Sequence, residues 1–172
     1  MDLEKAIRTR RTHKAYGPRE LDPRTIEELV ELARWAPNHH LTNPWRFRVL
    51  GPRTRAGLLG LGQLHQPGAA VKLARAPTLV AVSVMQSGDP GQNREDLLAG
   101  AVAAYIVLLG AHARGLAGYW RTVGLLEDPR ARALLEIGPG EAPIGILYLG
   151  DPVQEQRAPE RAPLGEILTR LQ

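Results

Sequence analysis

The feature that most constrains the fold is an uncharged apolar run of 15 residues, LLAGAVAAYIVLLGA, from 97 to 111. This run is shorter than the roughly 20 residues that a helix needs to span a bilayer, so it predicts a buried helix, which we place at 94–114. Gly115 is suited to a left-handed C-cap at the end of that helix. Because apolar side chains occur on nearly all its sides, we expect a sheet to cover one side and another helix or subunit the other.

The segments on either side of this run predict the other elements. Asp22 followed by Pro23 is a helix start, an N-cap before a first-turn proline, and the same pair occurs at Asp128 and Pro129. The predicted helices are 2–10, 23–36, 53–65, 94–114 and 129–135, with a short helical segment at 71–75, and the predicted strands are 45–50, 78–85, 117–122 and 143–150. We expect one α+β domain over residues 1–172, with helices around a mixed or antiparallel sheet of four to five strands and the last 20 residues on the surface.

Composition excludes several kinds of chemistry. The 44% apolar and 23% charged residues are typical of a folded soluble protein. The absence of cysteine excludes disulfides, thiolate metal sites, iron–sulfur clusters and cysteine nucleophiles, so any redox chemistry needs a bound cofactor. The start MDLEKAIRTRR mixes acidic and basic residues and lacks the apolar stretch of a secretory signal, so we expect a cytoplasmic protein with no membrane partner.

Basic residues concentrate in RTRRTHKAY, residues 8–16. At about 100° per helical residue, Arg10 and Arg11 point in different directions, so one could reach into a site while the other braces elsewhere. The cluster fits a solvated helix end as well as a phosphate-binding site. A net charge of +4 also leaves nucleic-acid binding open, but no nucleic-acid motif is present, and we expect no such partner.

Two further segments are candidate sites. The loop APNHHLTNPWRF, 36–47, contains His39 and His40, but adjacent residues in an extended loop project oppositely, so we expect no metal site. The segment GLAGYWRTVG, 115–124, is either an ordinary turn with a core tryptophan or a binding loop at the mouth of the sheet. Nucleophile-elbow, phosphate-loop and dinucleotide-fingerprint motifs are absent from the sequence.

Three segments occur in a diagnostic order. The first segment, Arg10-Arg11-Thr12, follows the first helix. The second contains Ala36-Pro37 and His39 and leads through Asn43-Pro44-Trp45 into a strand. The third, Gly118-Tyr119-Trp120-Arg121-Thr122, follows the long helix and comes before a last strand that ends in Leu149-Gly150-Asp151-Pro152. Over residues 1–152 this order resembles the nitroreductase family, in its short NAD(P)H nitroreductase branch. The chain departs from the family where Thr12 replaces serine, Lys14 replaces arginine, Asn43 replaces glutamine, and Leu41 stands where larger members carry a flavin-binding asparagine.

The resemblance implies an FMN-dependent homodimer with two flavin sites at the subunit interface, where the long helix would be buried. The implied FMN contacts are Arg10, Arg11, Thr12, Lys14, His39 from the partner chain, Asn43, Trp120, Arg121 and Thr122, with the last three closing the phosphate side. The implied nicotinamide-nucleotide contacts are Ala111, His112, Ala113, Arg114 and Gly115. Neither a catalytic side chain nor a metal is implied, because the flavin carries the chemistry.

The implied reaction is ping-pong. NADH or NADPH would reduce the flavin, which would then reduce a nitroaromatic, quinone or related small oxidant. The alternative that remains open is a flavin-binding or flavin-modifying protein without nitroreductase activity.

Overall fold

The protein, seen in a computed structural model, is described over residues 1–171. Its helices are α1 (Leu3–Thr9), α2 (Pro23–Ala33), α3 (Pro52–His65), α4 (Pro67–Leu73), α5 (Pro90–Ala113), α6 (Pro129–Leu134) and α7 (Leu164–Ile167), and short 3-10 turns lie at His39–Leu41 and Gly124–Glu127. Its strands are β1 (Trp45–Val49), β2 (Thr78–Met85), β3 (Ala117–Arg121) and β4 (Glu141–Gly150). The predicted α+β class is confirmed.

The four strands form one antiparallel sheet in the order β1-β2-β4-β3. Along β2, Val80, Val82 and Val84 face a core shared with α2 and α5, whereas Leu79 and Ala81 face a second core under α3, α4 and α6. This alternation follows from the two-residue period of a strand. Helices therefore cover both faces of the sheet, and β2 is buried almost throughout, as its apolar sequence predicts.

Aspartate caps begin the three helices that start with Asp-Pro. The carboxylate of Asp22 accepts a hydrogen bond from Arg24 N, and that of Asp128 accepts one from Arg130 N, as predicted. The carboxylate of Asp89 accepts from Gln92 N, so α5 begins at Pro90 and not at 94. The predicted start was wrong because the same cap and proline occur at residues 89 and 90.

Other boundaries also differ from the prediction. The fourth helix spans 67–73 instead of 71–75, and Gly124–Glu127 and Leu164–Ile167 add helical turns that the sequence pattern did not indicate. Strand β4 begins at Glu141, two residues before the predicted start, and includes Pro143. Proline is tolerated there because β4 pairs only with β2 at that level; its pairing with β3 begins at Ile146.

Helix α5 packs against the sheet and against α2, and part of its surface remains open to solvent. The expected cover by the sheet and by another helix is present within the single chain, and cover of the remaining face by another subunit stays a prediction. The exposed α5 face comprises Leu97, Leu98, Val102 and Tyr105, which are 36–55% exposed. Within residues 1–171, α5 is the one helix long and apolar enough to cross a membrane, but half of its most apolar window is buried in the protein, and the core helix of a soluble protein passes the same test.

Candidate functional site

The segment after α1 lies along the free edge of β3. Thr12 forms a parallel bridge with Gly118, and His13 N donates a hydrogen bond to Gly118 O over 3.2 Å. Gly118 lets β3 lie close to α5 here, since a Cβ at residue 118 would lie 2.9 Å from Leu108 Cδ2. The basic segment is therefore fixed to the sheet edge beside the C-terminal half of α5.

The two adjacent arginines have different surroundings. The Arg11 guanidinium donates from Nη1 to the carbonyl oxygens of Arg8 at 2.8 Å and Arg10 at 2.9 Å, so it braces the C-terminal end of α1. The Arg10 guanidinium lies over the ring of Tyr105, 5.8 Å from its centroid, on the exposed α5 face. The divergence predicted from the helical spacing is present, and Arg10 is the arginine directed toward that face. Lys14 is exposed.

Two histidines lie behind the basic segment. Thr9 Oγ1 and His112 Nε2 are 2.8 Å apart, and His13 and His112 line a cavity of about 360 Å³ together with Arg11 and Gly115. Burial lowers the pKa of His13, and His112 and Arg10 lower it further. Burial also lowers the pKa of His112, with Arg10 and Arg11 adding to the effect. The charged form of both imidazoles is therefore disfavoured.

The five residues expected to contact a nicotinamide nucleotide do not form one surface. His112 and Gly115 line the cavity just described, whereas Ala111 is fully buried in the core. Arg114 turns away toward α2, with its Nη2 atom 3.6 Å from Glu28 Oε2, and Ala113 is exposed. The structure thus groups two of the five residues, His112 and Gly115, around an opening.

Trp120 and Thr122 line an apolar pocket of about 620 Å³ at the other end of β3. The indole Nε1 of Trp120 donates to Ile144 O over 3.0 Å, which fixes the ring against β4. Leu97 and Leu98 of the exposed α5 face complete the pocket wall, while Arg121 is half-buried outside it. Trp120 follows by two residues the point on β3, Gly118, at which Thr12 forms its bridge.

The loop between α2 and β1 is backbone-strained. His40, Leu41 and Asn43 have φ angles of 54°, 52° and 46°, a left-handed region that non-glycine residues rarely occupy. Such conformations cluster at functional sites, because surrounding contacts must hold them. The crowded sequence of this loop predicts a candidate site, but no glycine marks its left-handed residues.

The expectation that His39 and His40 project in opposite directions is wrong. Their ring centroids are 3.9 Å apart in an edge-on arrangement, because the positive φ of His40 turns the backbone into a short helical turn. Within the described residues, however, no group of three or more potential metal ligands is present. Both imidazoles are exposed, so the pair is directed away from its own domain core.

The strained loop and the basic segment contact opposite ends of α5. The loop is joined to α5 at Asp96, which accepts a hydrogen bond from Thr42 Oγ1 over 2.6 Å. The basic segment meets α5 at Tyr105 and His112, nine and sixteen residues further along, or about 14 and 24 Å at the helical rise. The structure thus places Arg10 toward the Tyr105 end of α5 and the loop of His39 and Asn43 at the Asp96 end. The pocket beside Trp120 lies against Leu97 and Leu98, next to Asp96.

Comparison with known proteins assigns most of the chain to one protein family. The model of the nitroreductase family matches residues 7–151. A protein of Methanothermobacter thermautotrophicus named "Putative NADH dehydrogenase/NAD(P)H nitroreductase" is 31% identical over 156 residues, which cover 90% of this chain and 79% of that protein.

Solved structures show the same fold. A nitroreductase-like family protein from Bacillus cereus superimposes with a TM-score of 0.88 at 21% identity, over 99% of this chain and 96% of the other. A protein from Desulfovibrio desulfuricans, crystallised in complex with FMN, gives a TM-score of 0.79 at 23% identity, over 98% of this chain and 96% of the other.

Proposed function

Since the chain belongs to the nitroreductase family, we propose that it is an FMN-dependent NAD(P)H oxidoreductase that reduces nitroaromatic, quinone or related small oxidants. The observation that carries the proposal is the division of the candidate site between the two ends of α5. Arg10 lies over Tyr105, whereas the loop that carries His39 is anchored at Asp96, beside the Leu97 and Leu98 wall of the Trp120 pocket.

A homodimer would complete each site. If two copies pack through the exposed α5 face about a two-fold axis, the Asp96 end of one helix meets the Tyr105 end of its partner. His39 of one copy then lies near Arg10 of the other, which one chain alone does not achieve. The exposed side chains on this face, Leu98 and Val102 among them, supply the apolar contact that such packing needs.

The donor set suits FMN. A phosphate dianion favours guanidinium and hydroxyl donors, which Arg10 and Thr12 supply, and Lys14 adds a positive charge nearby. Arg11 would act indirectly, because its guanidinium is engaged in bracing α1. The apolar pocket beside Trp120 suits a flat aromatic ring, and Arg121 and Thr122 supply polar groups at its edge.

The chain's own residues bind and orient in the proposed reaction. Bound FMN would supply the hydride-accepting ring that NADH or NADPH reduces and the oxidant reoxidises. Trp120 and the apolar α5 residues would exclude water around that ring. A cationic side chain at its edge, such as Arg121, would stabilise the negative charge of the reduced form. We place the enzyme in the cytoplasm and assign it no nucleic-acid partner.

The first test is flavin binding. Purified protein should be yellow and bind about one FMN per chain; a protein that stays colourless with added FMN would exclude the proposal. Arg10→Ala should weaken FMN binding by about 10- to 100-fold, because one charge-assisted contact is lost. Arg53→Ala, which removes an exposed arginine on α3, is the matched control and should leave the affinity unchanged.

The second test separates turnover from binding alone. Under anaerobic conditions, NADH or NADPH should bleach the bound flavin, and a nitroaromatic or quinone should restore its colour. A protein that binds FMN but is bleached by neither nucleotide would instead be a flavin-binding or flavin-modifying protein. Leu41 and Asn43 favour this alternative of flavin binding without turnover, because both depart from the family pattern in the loop that would face the flavin.

A further inference from the structure

The strained loop needs contacts that hold it in place. His40, Leu41 and Asn43 adopt left-handed conformations, which relax unless hydrogen bonds or packing oppose them. All three side chains are exposed, so packing against the core does not hold them. The restraint comes from hydrogen bonds, one of which Asn43 Nδ2 donates to Leu41 O over 2.8 Å, and the others of which involve neighbouring residues.

Asn38 closes the loop on itself. Its Oδ1 atom accepts a hydrogen bond from Asn43 N over 2.9 Å, and its Nδ2 atom donates to Ala36 O over 3.2 Å. These bonds fix the shape of residues 38–43. They do not fix the position of the loop relative to the sheet or α5, because both partners belong to the same segment.

A buried carboxylate fixes that position. Asp96 is 3% exposed, and its Oδ1 atom accepts hydrogen bonds from Thr42 Oγ1 at 2.6 Å and from Gln92 Nε2 at 3.0 Å. Over residues 1–171, the bond from Thr42 is the one side-chain to side-chain hydrogen bond between loop 38–43 and another element. Thr42 is helical in backbone conformation and lies between two left-handed residues, and its hydroxyl is the point through which the loop is held to α5. On the β1 side, Arg46 Nη1 donates a hydrogen bond to Asn43 O over 3.0 Å.

We propose that Asp96, acting through Thr42, is a positioning residue that holds His39 and Leu41 in the orientation needed to contact flavin in the partner subunit. The inference rests on the proposed function. Asp96 immediately precedes Leu97 and Leu98 of the exposed α5 face, so the same turn of helix carries both the subunit contact and the anchor of the loop. The loop position is thereby set relative to the surface across which it acts.

The decisive variants are Thr42→Val and Thr42→Ser. Valine keeps the branched shape but removes the donor, whereas serine keeps the hydroxyl. We expect Thr42→Val to raise the Kd for FMN about tenfold, the order of one lost hydrogen bond to a charged group, and Thr42→Ser to stay within about twofold of wild type. Both variants should be dimeric, and Thr42→Val should lower the Tm by no more than a few degrees, because Asp96 keeps its hydrogen bond from Gln92 Nε2.

A double-mutant cycle tests whether Asp96 acts through Thr42. Asp96→Ala should raise the Kd for FMN in the wild-type background but add little in the Thr42→Val background, because the shared contact is already lost. Equal effects in the two backgrounds would overturn the proposed route. So would a Thr42→Ser protein that binds FMN as weakly as Thr42→Val.

Hydrogen exchange in the FMN-free protein tests the anchor independently of flavin. Thr42→Val should speed exchange of the amides of residues 39–43 at least fivefold, and Thr42→Ser should not. Unchanged exchange in Thr42→Val overturns the inference whatever the flavin result. If wild-type protein binds no FMN, the proposed function and the flavin-positioning role both fail, even where the exchange data show that Asp96 anchors the loop.

Discussion

The indole of Trp120 occupies the space that a side chain at Gly145 would need. A Cβ at residue 145 would lie 2.5 Å from Trp120 Nε1 and 2.6 Å from Arg121 O, and Gly145 has a φ of 141°, where side chains are rarely accommodated. Glycine on β4 thus allows Trp120 to lie flat against the sheet and donate to Ile144 O. The shape of the apolar pocket depends on this pair.

Gly145→Ala should therefore displace Trp120 and distort β3. We expect the free energy of unfolding to fall by about 3 kcal/mol, from steric overlap and an unfavourable φ, and FMN binding to weaken. Chemical denaturation and flavin titration measure the two effects. Gly140→Ala is the matched control, since a Cβ at residue 140 meets no atom within 4 Å, and it should change neither quantity.

A charge on the exposed α5 face should disrupt the proposed dimer. Val102→Glu places a carboxylate in the middle of that face, so analytical ultracentrifugation should show monomers and FMN affinity should fall with the loss of shared sites. Val71→Glu makes the same substitution at an exposed valine on α4 and should remain dimeric. A Val102→Glu protein that stays dimeric would show that the subunits associate elsewhere.

The histidines behind the basic segment should make stability depend on pH. The pKa values of His13 and His112 are below their ordinary value of 6.5, chiefly because burial disfavours the charged form. The unfolded chain therefore binds more protons than the folded chain below about pH 6.5, so the free energy of unfolding should decrease as the pH falls through that value.

Urea denaturation of FMN-free protein at pH 7.5 and pH 5.5 measures this dependence. His112→Gln should reduce the loss of stability between the two values, whereas His65→Gln, at the exposed end of α3, should leave it unchanged. Equal loss in wild type and in His112→Gln would show that His112 does not contribute.

A charged network joins three strands on the side of the sheet away from α5. Arg48 of β1 donates to Glu141 of β4, with Nη2 2.8 Å from Oε1, and Ser83 of β2 donates to the same carboxylate. Burial alone raises the pKa of Glu141, but the hydrogen bonds from Arg48 and Ser83 outweigh it and hold that pKa below 4.5.

Glu141→Ala should lower the free energy of unfolding by about 2 kcal/mol, because it leaves Arg48 largely buried without its partner. Glu4→Ala breaks the exposed Arg8–Glu4 pair instead and should cost less than about 0.5 kcal/mol. Denaturant titrations of the two variants give the comparison, and similar losses would argue against a special role for the β1–β4 pair.

Local signals in the sequence were sufficient for most of the fold. Asp22-Pro23 and Asp128-Pro129 predicted helix starts because an N-cap and a first-turn proline act within four residues, and the alternation of WRFRV predicted β1. The early start of α5 carried the same local signal. The inclusion of Pro143 in β4 had no such local signal, because it depends on which strand pairs with β4 at that residue.

The candidate site could be predicted only in part from such local signals. The segments containing Arg10, His39 and Trp120 could be identified from their residues, but their placement on α5 could not, because it depends on contacts between distant parts of the chain. Thr42 and Asp96 are 54 residues apart and match no motif, so nothing in the sequence marked them as partners. The left-handed turn at His40 likewise has no glycine to indicate it.

The separation of the two half-sites along α5 has a genetic consequence. In the proposed dimer, each chain contributes Arg10 to one flavin site and His39 to the other. A mixed dimer of an Arg10→Ala chain and a His39→Ala chain therefore contains one doubly altered site and one site with both residues intact. Two inactive alleles should thus complement each other when expressed together, with up to about half of the wild-type activity in each mixed dimer.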